Sequence, residues 1–498
     1  MNSHTPEDFD VIVVGGGPAG STLAALTAMQ GHRVLVLEKE KFPRYQIGES
    51  LLPGTINGIC RLTGALDDVM KAGFTLKRGG TFKWGRNPDP WTFDFAVSAR
   101  MAGNPYAFQV ERSKFDKILL DNARRVGAEV REECAVTRVL ADKERVTGAE
   151  FTDAVGDVHQ VHGRYIVDAS GNRSRIHRGA GGVREYSEFF QGLALFGYFA
   201  HGKRLPAPNS GNIFCEAFDS GWFWYIPLSD ELTSVGAVVP SELADRVQGN
   251  SEQALAGLIA QAPIVRELLG EAKRVTEGQY GQIRVRKDYS YRTTRFWRPG
   301  MALIGDAACF VDPIFSSGVH LATYGALLAA RSINSTLAGT IDENTAFEEF
   351  ERRYRREFGV FYEYLMCFYE MHVGKDSYFW MAKKITNDTH NELESFIDLV
   401  AGVSSGEPAL VGSEGLVNRF KERSREFSGA VDQIVTDEEH NMVPLLKTSV
   451  VQQALHESTR VQTAALLGNV TMSETPIFVD GLVASPDGMF WSVPEPKH

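Results

Sequence analysis

The sequence predicts an α/β fold followed by a mainly helical C-terminal region. Up to about residue 340, short runs of β-branched and apolar residues alternate with helical patterns and glycine-rich turns, as in a sheet covered by helices. Beyond that point, segments such as residues 345–372 carry apolar residues at helical spacing, and few strand signals remain. We therefore expect a core over residues 1–340, sheet-rich at about 185–295, and a helical domain over residues 341–498.

The composition is that of a globular protein and excludes several functional classes. The chain has 498 residues, 43% of them hydrophobic, and a net charge of -11, which argues against general affinity for nucleic acid or an anionic membrane. The five cysteines are scattered without metal-ligand spacing, so we expect reduced thiols and no metal site. The polar, acidic N-terminus lacks the features of a signal peptide, and no apolar run is long enough to span a bilayer. We expect a cytoplasmic location.

The first motif is a glycine-rich turn between two strands in "FDVIVVGGGPAGSTLAALTAMQGHRVLVLEKE". Gly15 allows a tight turn, Gly17 lets the backbone approach a pyrophosphate, and Gly20 allows close packing of helix on strand. The N-terminus of the following helix attracts phosphate charge. Glu38 ends the second strand about 20 residues later, where an acidic residue meets a ribose 2′-hydroxyl. The motif predicts a dinucleotide site.

A second segment, "MALIGDAACFVDPIFSSGVHLATYGALLAARSI", indicates which dinucleotide is bound. A strand ends in Gly305-Asp306, and Gly318 opens a long apolar helix whose N-terminus favours negative charge. This arrangement resembles the second FAD motif of the flavoprotein monooxygenase superfamily, in which the aspartate binds cofactor hydroxyls. Asp168 and Gly171 in "YIVDASGNRS" resemble the superfamily's D-x-x-G element. The resemblance implies FAD, and a Rossmann-type FAD-binding domain of the p-hydroxybenzoate hydroxylase-like kind.

The stretch "GWFWYIP" places Trp222 and Trp224 on one face of a predicted strand. By itself this pattern is equally typical of a buried core strand. The spacing nevertheless matches the W-x-W-x-I-P fingerprint of flavin-dependent halogenases, which the chain resembles over nearly its whole length. In that family the tryptophans lie beside the passage between flavin and substrate. The implied tunnel and substrate side comprises Trp222, Trp224, Pro313 and Phe315.

The resemblance implies further site residues. "RYQIGESLLP" resembles the strap that covers the flavin, with Gly48, Glu49 and Ser50, and "FTLKRGG" places Lys77 at the position of the catalytic lysine. A lysine followed by arginine is otherwise a typical solvated pair. The remaining implied cofactor contacts are Pro18, Ala19, Lys39, Arg44, Arg112, Val136 and Val319.

The family's chemistry uses reduced FAD, O2 and a halide. In outline, the halide attacks a flavin hydroperoxide, and the resulting hypohalous acid is held by the lysine, here Lys77, as a hydrogen-bonded species or a haloamine. Ser317 and Gly318, at a helix N-terminus, can offer backbone N–H groups to a halide. Their alternative role as helix-capping residues is compatible with this one. The sequence does not distinguish chloride from bromide as the halide, and the resemblance implies a chlorinase.

The best match within the family is to the tyrosine and β-hydroxytyrosine halogenases of glycopeptide-antibiotic assembly. This implies a phenol substrate, tethered to a peptidyl carrier protein in nonribosomal peptide biosynthesis. Phe315 stands where tryptophan halogenases have a glutamate, which favours an electron-rich ring that needs no such acid. No second dinucleotide motif is present, so we expect a separate NAD(P)H flavin reductase to supply reduced FAD.

Alternatives remain at this point. The C-terminal region either stabilises the core or docks a carrier protein through its basic clusters, Arg352, Arg353, Arg355 and Arg356, and Lys421, Arg423 and Arg425. An FAD-dependent aromatic hydroxylase would use the same oxygen chemistry without halide. A catalytically silent flavoprotein would bind FAD and form no product.

Overall fold

The computed structural model describes residues 8–101, 104–219, 221–287, 290–370, 381–382, 384–386, 392–411 and 476–494. Its strands are, in chain order, β1 (Asp8–Val14), β2 (Val34–Leu37), β3 (Thr75–Lys77), β4 (Gly79–Lys83), β5 (Trp91–Asp94), β6 (Ala107–Gln109), β7 (Glu129–Arg131), β8 (Ala135–Asp142), β9 (Arg145–Thr152), β10 (Val158–Asp168), β11 (Arg184–Tyr186), β12 (Gly192–Ala200), β13 (Ile213–Phe218), β14 (Gly221–Pro227), β15 (Leu232–Pro240), β16 (Lys273–Arg274), β17 (Arg284–Lys287), β18 (Tyr291–Thr293), β19 (Trp297–Arg298), β20 (Met301–Leu303), β21 (Cys309–Phe310), β22 (Val483–Ala484) and β23 (Trp491–Ser492).

The α-helices with described bounds are α1 (Pro18–Ala28), α2 (Leu66–Lys71), α3 (Arg112–Arg125), α4 (Ser251–Ile259), α5 (Pro263–Leu269), α6 (Ser317–Leu337), α7 (Glu343–Glu370) and α8 (Glu392–Val400). A π-helical segment covers Gly54–Cys60, and a short 3-10 helix covers Gly305–Ala307.

The first large sheet is the predicted dinucleotide-binding sheet. Its order is β19-β20-β10-β1-β2-β7, and β1 runs parallel to both β10 and β2. The apolar runs of β1 and β2 are buried, as expected for parallel strands covered on both faces. Helix α1 is buried along its whole length, and α6 along most of its length. The α/β prediction is confirmed.

The second large sheet supplies the predicted sheet-rich part and is mostly antiparallel. Its order is β16-β12-β15-β14-β13-β4-β5, with β17 added to β12. Strand β14 carries the tryptophan pair and lies between β13 and β15, at the centre of the sheet. A separate short antiparallel pair, β3 with β6, holds Lys77 opposite Ala107.

The described C-terminal residues pack against the core. Buried side chains of α7 and α8 belong to the same hydrophobic cluster as those of β1 and α1. The short β22–β23 hairpin was not expected from the sequence, and Trp491 on it is 2% exposed. The division at residue 340 into two domains stays a prediction.

Candidate active site

The glycine-rich loop after β1 has the geometry of a phosphate cradle. Gly15 has φ +103°, and a Cβ there would lie 2.6 Å from the Ala169 carbonyl oxygen. A Cβ on Gly20 would collide with the Gly15 carbonyl, so α1 lies directly against the loop. A Cβ on Gly17 would meet only the Arg44 guanidinium, at 3.3 Å. No side chain caps the first turn of α1, which leaves its N–H groups available to an anion.

Glu38 closes this loop from the end of β2. Its Oε2 accepts a hydrogen bond of 2.6 Å from the Gly16 N–H, and its Oε1 accepts one of 2.8 Å from the Glu40 N–H. A carboxylate has about four acceptor positions, so these bonds leave capacity for a ribose hydroxyl. Contact of Glu38 with ribose stays a prediction.

Asp306 lies in the 3-10 turn after β20. Burial raises the pKa of its carboxyl, and the nearby Arg112, Arg286 and Arg184 oppose that effect. No described side chain or N–H donates a hydrogen bond to this carboxylate. A half-buried carboxylate without donors suits the hydroxyls of a cofactor's sugar or ribityl chain.

Asp168, unlike Asp306, accepts hydrogen bonds from neighbouring residues of the chain. Its Oδ1 accepts bonds from the N–H and hydroxyl of Ser170, at 3.0 and 2.6 Å, and its Oδ2 accepts from the Ser174 hydroxyl at 2.5 Å. The carboxylate therefore orders the loop after β10, in which Gly171 has φ +81°. Its predicted contact with the cofactor stays a prediction.

The strap is fastened to the FAD-binding side by arginines. The Arg112 Nη1 donates to the carbonyl oxygens of Ile47 at 2.6 Å and Gly48 at 3.1 Å. Asp116 pairs with both Arg112 and Arg44, at 2.7 and 2.8 Å. The sequence-predicted Gly48, Arg44 and Arg112 are thus brought together.

Lys77 is buried and bonded to the strap. Its Nζ donates 2.9 Å to the Ser50 hydroxyl and 3.0 Å to the Leu51 carbonyl oxygen, and the side chain is 2% exposed. Burial lowers the pKa of Lys77 to about 7, while the nearby Cys215 thiol opposes this shift. The expectation that a Lys-Arg pair is solvated is wrong for Lys77 and holds for Arg78, which is exposed.

The tryptophan face of the second sheet adjoins Lys77. Trp222 and Trp224 are 2% and 5% exposed, with ring centroids 6.2 Å apart. Cys215 pairs directly with Trp224 across the β13–β14 ladder, so the two side chains share one face. Because Cys215 interacts with Lys77, the lysine lies at this face.

The loop before α6 leads into the predicted halide ligands, Ser317 and Gly318. Ser316 caps the helix with φ 60°, no side chain caps the first turn, and the buried Ser317 hydroxyl has no described partner. A Cβ on Gly318 would lie 2.7 Å from the Phe310 ring. These features suit a small anion held by backbone donors.

Phe315 points into an aromatic cluster. Its ring lies 5.7 Å from Phe82, 5.5 Å from Tyr364, 4.8 Å from Phe368 and 6.2 Å from Phe396. Helices α7 and α8 therefore contribute walls beside the predicted substrate side. Sequence reasoning missed these contributions, because they come from segments distant along the chain.

Asp312 was also missed. It is 2% exposed, and its Oδ1 accepts from the Ile314 N–H at 2.9 Å and the Tyr369 hydroxyl at 3.1 Å. Burial raises the pKa of Asp312 to about 7. Its place in the turn "DPIFSSG" was a signal that could have identified it.

The remaining predicted residues are spread more widely. Pro18, Ala19 and Val319 are buried at the starts of α1 and α6, and Pro313 is half-buried in the loop before α6. Lys39 is exposed, and Val136 is half-buried in β8, a strand of the hairpin at the edge of the first sheet. Their contacts with a cofactor stay predictions.

The basic cluster on α7 is largely engaged within the chain. Arg353 pairs with Glu349 and Arg355 with Glu351, both at 2.5 Å, and Arg352 pairs with Asp480 at 3.1 Å. Docking through Arg353 is therefore wrong as an expectation, since its side chain is buried in the fold, whereas docking through the more exposed Arg352, Arg355 and Arg356 stays a prediction. The cluster of Lys421, Arg423 and Arg425 lies outside the described residues.

Together these observations fit FAD. The open space at Gly17, the uncapped N-terminus of α1 and the donor-free carboxylate of Asp306 are complementary to a pyrophosphate and to cofactor hydroxyls. Within the described ranges, no cluster of three or more His, Cys, Asp or Glu has the arrangement of a metal site. Among the described helices, none is both long and apolar enough to cross a bilayer.

Comparison with known proteins agrees with this geometry. The profile of the tryptophan halogenase family matches residues 10–105 and 98–427. The tryptophan 2-halogenase of Chondromyces crocatus is 36% identical over 395 residues, which cover 78% of this chain and 73% of that protein. The flavin-dependent halogenase armH4 of Armillaria mellea is 35% identical over 379 residues, 71% of this chain and 70% of that protein.

A solved structure extends the similarity to nearly the full chain. The myxobacterial chondrochloren halogenase CndH, described as a new variant of FAD-dependent halogenases, is 49% identical, with a TM-score of 0.74. The alignment covers 98% of this chain and 100% of that chain.

Proposed function

Because this chain belongs to the tryptophan halogenase family of flavin-dependent halogenases, we propose that it halogenates the phenol ring of a tyrosine-type residue through Lys77. Family membership makes the chain an enzyme that uses FAD, and use of halide and O2 is general in the family. The identity of the substrate, of the halide and of each site residue belongs to the proposal.

The observation that carries the proposal is the hydrogen bonding and protonation of the Lys77 amine. A protonated lysine has three N–H donors, of which two are used by Ser50 and Leu51, so one remains for hypohalous acid. In the neutral amine the same two bonds use both N–H groups and leave the lone pair free to accept halogen. With a pKa of about 7, both forms are populated near neutral pH.

Other residues of the site position the halide and separate the flavin from the substrate. Bound reduced FAD, with O2, supplies the two-electron oxidation that converts halide to hypohalous acid. Ser317 and Gly318 hold the halide, and the tryptophan face of β14 separates flavin and substrate. Lys77 then keeps the electrophile beside the ring. A C–X bond forms at a ring carbon, and the proton released there combines with hydroxide to give water.

A phenol is the substrate class that the site supports best. Phe315 packs among aromatic side chains, so the surroundings of the predicted substrate side are apolar, without a carboxylate at position 315. A phenol donates electron density from its own oxygen, so it does not depend on an acid at that position. We favour chloride as the halide and a residue tethered to a peptidyl carrier protein in antibiotic biosynthesis, with reduced FAD from a separate reductase.

The test uses purified enzyme with FAD, a flavin reductase, NADH, O2 and chloride. Free tyrosine and tyrosine loaded on a peptidyl carrier protein are compared by mass spectrometry. We expect the mass gain and isotope pattern of chlorine, with a higher kcat/KM for the tethered residue. Hydroxylated product independent of halide would contradict halogenation, and equal kcat/KM values would contradict the tether. A parallel assay with bromide decides the halide.

A further inference from the structure

Forming hypohalous acid consumes a proton on the flavin side. The balanced reaction is FADH2 + O2 + X⁻ + H⁺ → FAD + HOX + H2O, whereas transfer of halogen to the ring consumes none. The proton has to reach a buried site from solvent once in every turnover. The described residues contain a hydrogen-bonded chain suited to this transfer.

The chain starts at Glu49, in the middle of the strap. Its carboxyl is 2% exposed, and Oε2 has no hydrogen-bond partner among the described residues. Its Oε1 accepts a hydrogen bond of 2.7 Å from the Tyr198 hydroxyl on β12. That hydroxyl in turn lies 2.7 Å from the hydroxyl of Tyr45, a half-buried residue at the start of the strap. The three groups form a continuous hydrogen-bonded chain from a buried acid to a half-buried tyrosine.

Glu49 lies on the flavin side of this path. Arg112, which fastens the strap, interacts with both Glu49 and the predicted cofactor ligand Asp306. The next residue, Ser50, accepts a hydrogen bond from Lys77. Glu49 is therefore linked through Arg112 to a predicted FAD contact and is the sequence neighbour of the residue that binds Lys77.

We propose that Glu49, Tyr198 and Tyr45 form a proton relay that delivers one proton per turnover to the flavin side of the active site. This inference rests on the halogenase reaction proposed above. The acid form of Glu49 gives up its proton from Oε2 to the oxygen atom of O2 that leaves as water. The carboxylate then takes a proton at Oε1 from Tyr198, which takes one from Tyr45, which is reprotonated by solvent; rotation of the carboxyl resets the path. Tyr198 and Tyr45 act through Glu49 and are not catalytic residues themselves.

The surroundings of Glu49 suit an acid that exchanges protons near neutral pH. Burial raises the pKa of Glu49 to about 7. The nearby Ser234 hydroxyl, the hydrogen bond from Tyr198 and the charge of Arg112 lower this pKa, and the charge of Glu111 raises it. The charged and titratable groups around Tyr45 are Arg284, Arg286 and, across an edge-to-face ring contact, Tyr280, whose hydroxyl donates to Glu111. A hydrogen-bond network with a purely structural role would satisfy these polar groups without exchanging protons with solvent.

The first test does not require turnover. In FAD-free protein, infrared difference spectra across pH give the titration of the carboxyl band that Glu49→Gln removes. We expect a midpoint near the pKa of about 7, shifted upward in Tyr198→Phe because the carboxylate loses a hydrogen bond. Tyr225→Phe is the matched control, since this buried hydroxyl donates instead to the Lys203 carbonyl oxygen at 2.8 Å. A Glu49 band that does not titrate in this range, or does not respond to Tyr198→Phe, overturns the relay.

The second test measures hypohalous acid formation as the sum of chlorinated phenol substrate and chlorinated taurine, with chloride, O2 and reduced FAD. Tyr198→Phe and Tyr45→Phe should each slow its formation by about tenfold, more at alkaline than at acidic pH, and a small weak acid such as imidazolium should restore the rate. Adding Tyr198→Phe to Glu49→Gln should cause no further loss, since both act on one path. Equal losses at every pH without rescue, or additive losses, would show a structural role.

The parent enzyme separates the two proposals. If it reoxidises reduced FAD in the presence of a phenol substrate and taurine but halogenates neither, the proposed function fails, and the relay with it. If it forms hypohalous acid and the tyrosine variants match it, only the relay fails. Flavin content of every variant is measured to confirm that the cofactor is bound.

Discussion

Lys77 is a buried amine whose hydrogen bonds end on the strap, and its effect on halogen transfer can be isolated. Lys77→Met keeps most of the side-chain volume and removes the amine. We expect the rate of ring halogenation to fall by about a thousandfold, because an unpositioned electrophile loses several kcal/mol of assistance. Oxidation of reduced FAD in the presence of chloride should persist, and hypohalous acid should escape to taurine. Halogenation near the parent rate would eliminate this lysine as the group that delivers halogen.

Lys77 should also make the free energy of unfolding depend on pH. Folding lowers the pKa of Lys77 to about 7, so between that value and the ordinary lysine pKa of about 10.4 the unfolded chain binds the extra proton. In this window the free energy of unfolding of FAD-free protein should rise with pH, by at most about 1.4 kcal/mol per pH unit from this group.

Denaturant unfolding at several pH values measures that slope. Lys77→Met should abolish the contribution, whereas the same substitution at the exposed Lys71 should leave the slope unchanged. A slope that is identical in the parent and Lys77→Met proteins would mean that Lys77 stays charged when buried.

At the scale of elements, the turn from β1 into α1 determines cofactor binding. Gly17 has φ -71° and ψ -175°, a conformation open to any residue, and a Cβ would meet only the flexible Arg44. Gly17→Val should therefore fold normally yet lose FAD, because its methyl groups occupy the space predicted for the pyrophosphate.

Flavin absorbance after purification and the melting temperature of FAD-free protein measure the two effects separately. Gly257→Val is the control, since a Cβ at that position in α4 has no neighbour within 4 Å. Retained yellow colour in a folded Gly17→Val variant would place the pyrophosphate elsewhere. Gly20→Val is unsuitable for this test, because its Cβ would collide with the Gly15 backbone.

At the scale of the whole molecule, the β22–β23 hairpin ties the C-terminal segment to α6 and α7. The Trp491 Nε1 donates to the Ser332 hydroxyl at 2.9 Å. Its ring lies 5.2 Å from the guanidinium of Arg331 and 4.7 Å from that of Arg353. Arg331 is itself paired with Glu407, at 2.6 Å, with both side chains fully buried.

Trp491→Ala should lower the free energy of unfolding by about 3–5 kcal/mol, since it removes a large buried ring between two arginines. Chemical denaturation followed by circular dichroism measures this loss. Val493→Ala, two residues away and exposed, should cause little change. If both variants lose the same amount, the hairpin is not the attachment that the contacts indicate.

The sequence by itself determined the features that depend on local backbone and spacing. The turn at Gly15, the acid at Glu38 and the shared face of Trp222 and Trp224 follow from positions a few residues apart or from strand periodicity. The α/β fold and membership of the halogenases could be predicted for the same reason. These signals need no knowledge of distant neighbours. The start of α6 was predicted at Gly318 and lies one residue earlier, at Ser317.

Only the tertiary structure decided the environment of each reactive group. Lys77 and Ser50 are 27 residues apart, and Tyr198 and Glu49 are 149 apart, yet each pair shares a buried hydrogen bond. The tertiary structure also decided the environment of Arg353, which the sequence suggested for docking and which forms a buried ion pair with Glu349. Burial, hydrogen bonding and nearby charge set the pKa of a side chain, and these depend on which distant segments pack against it.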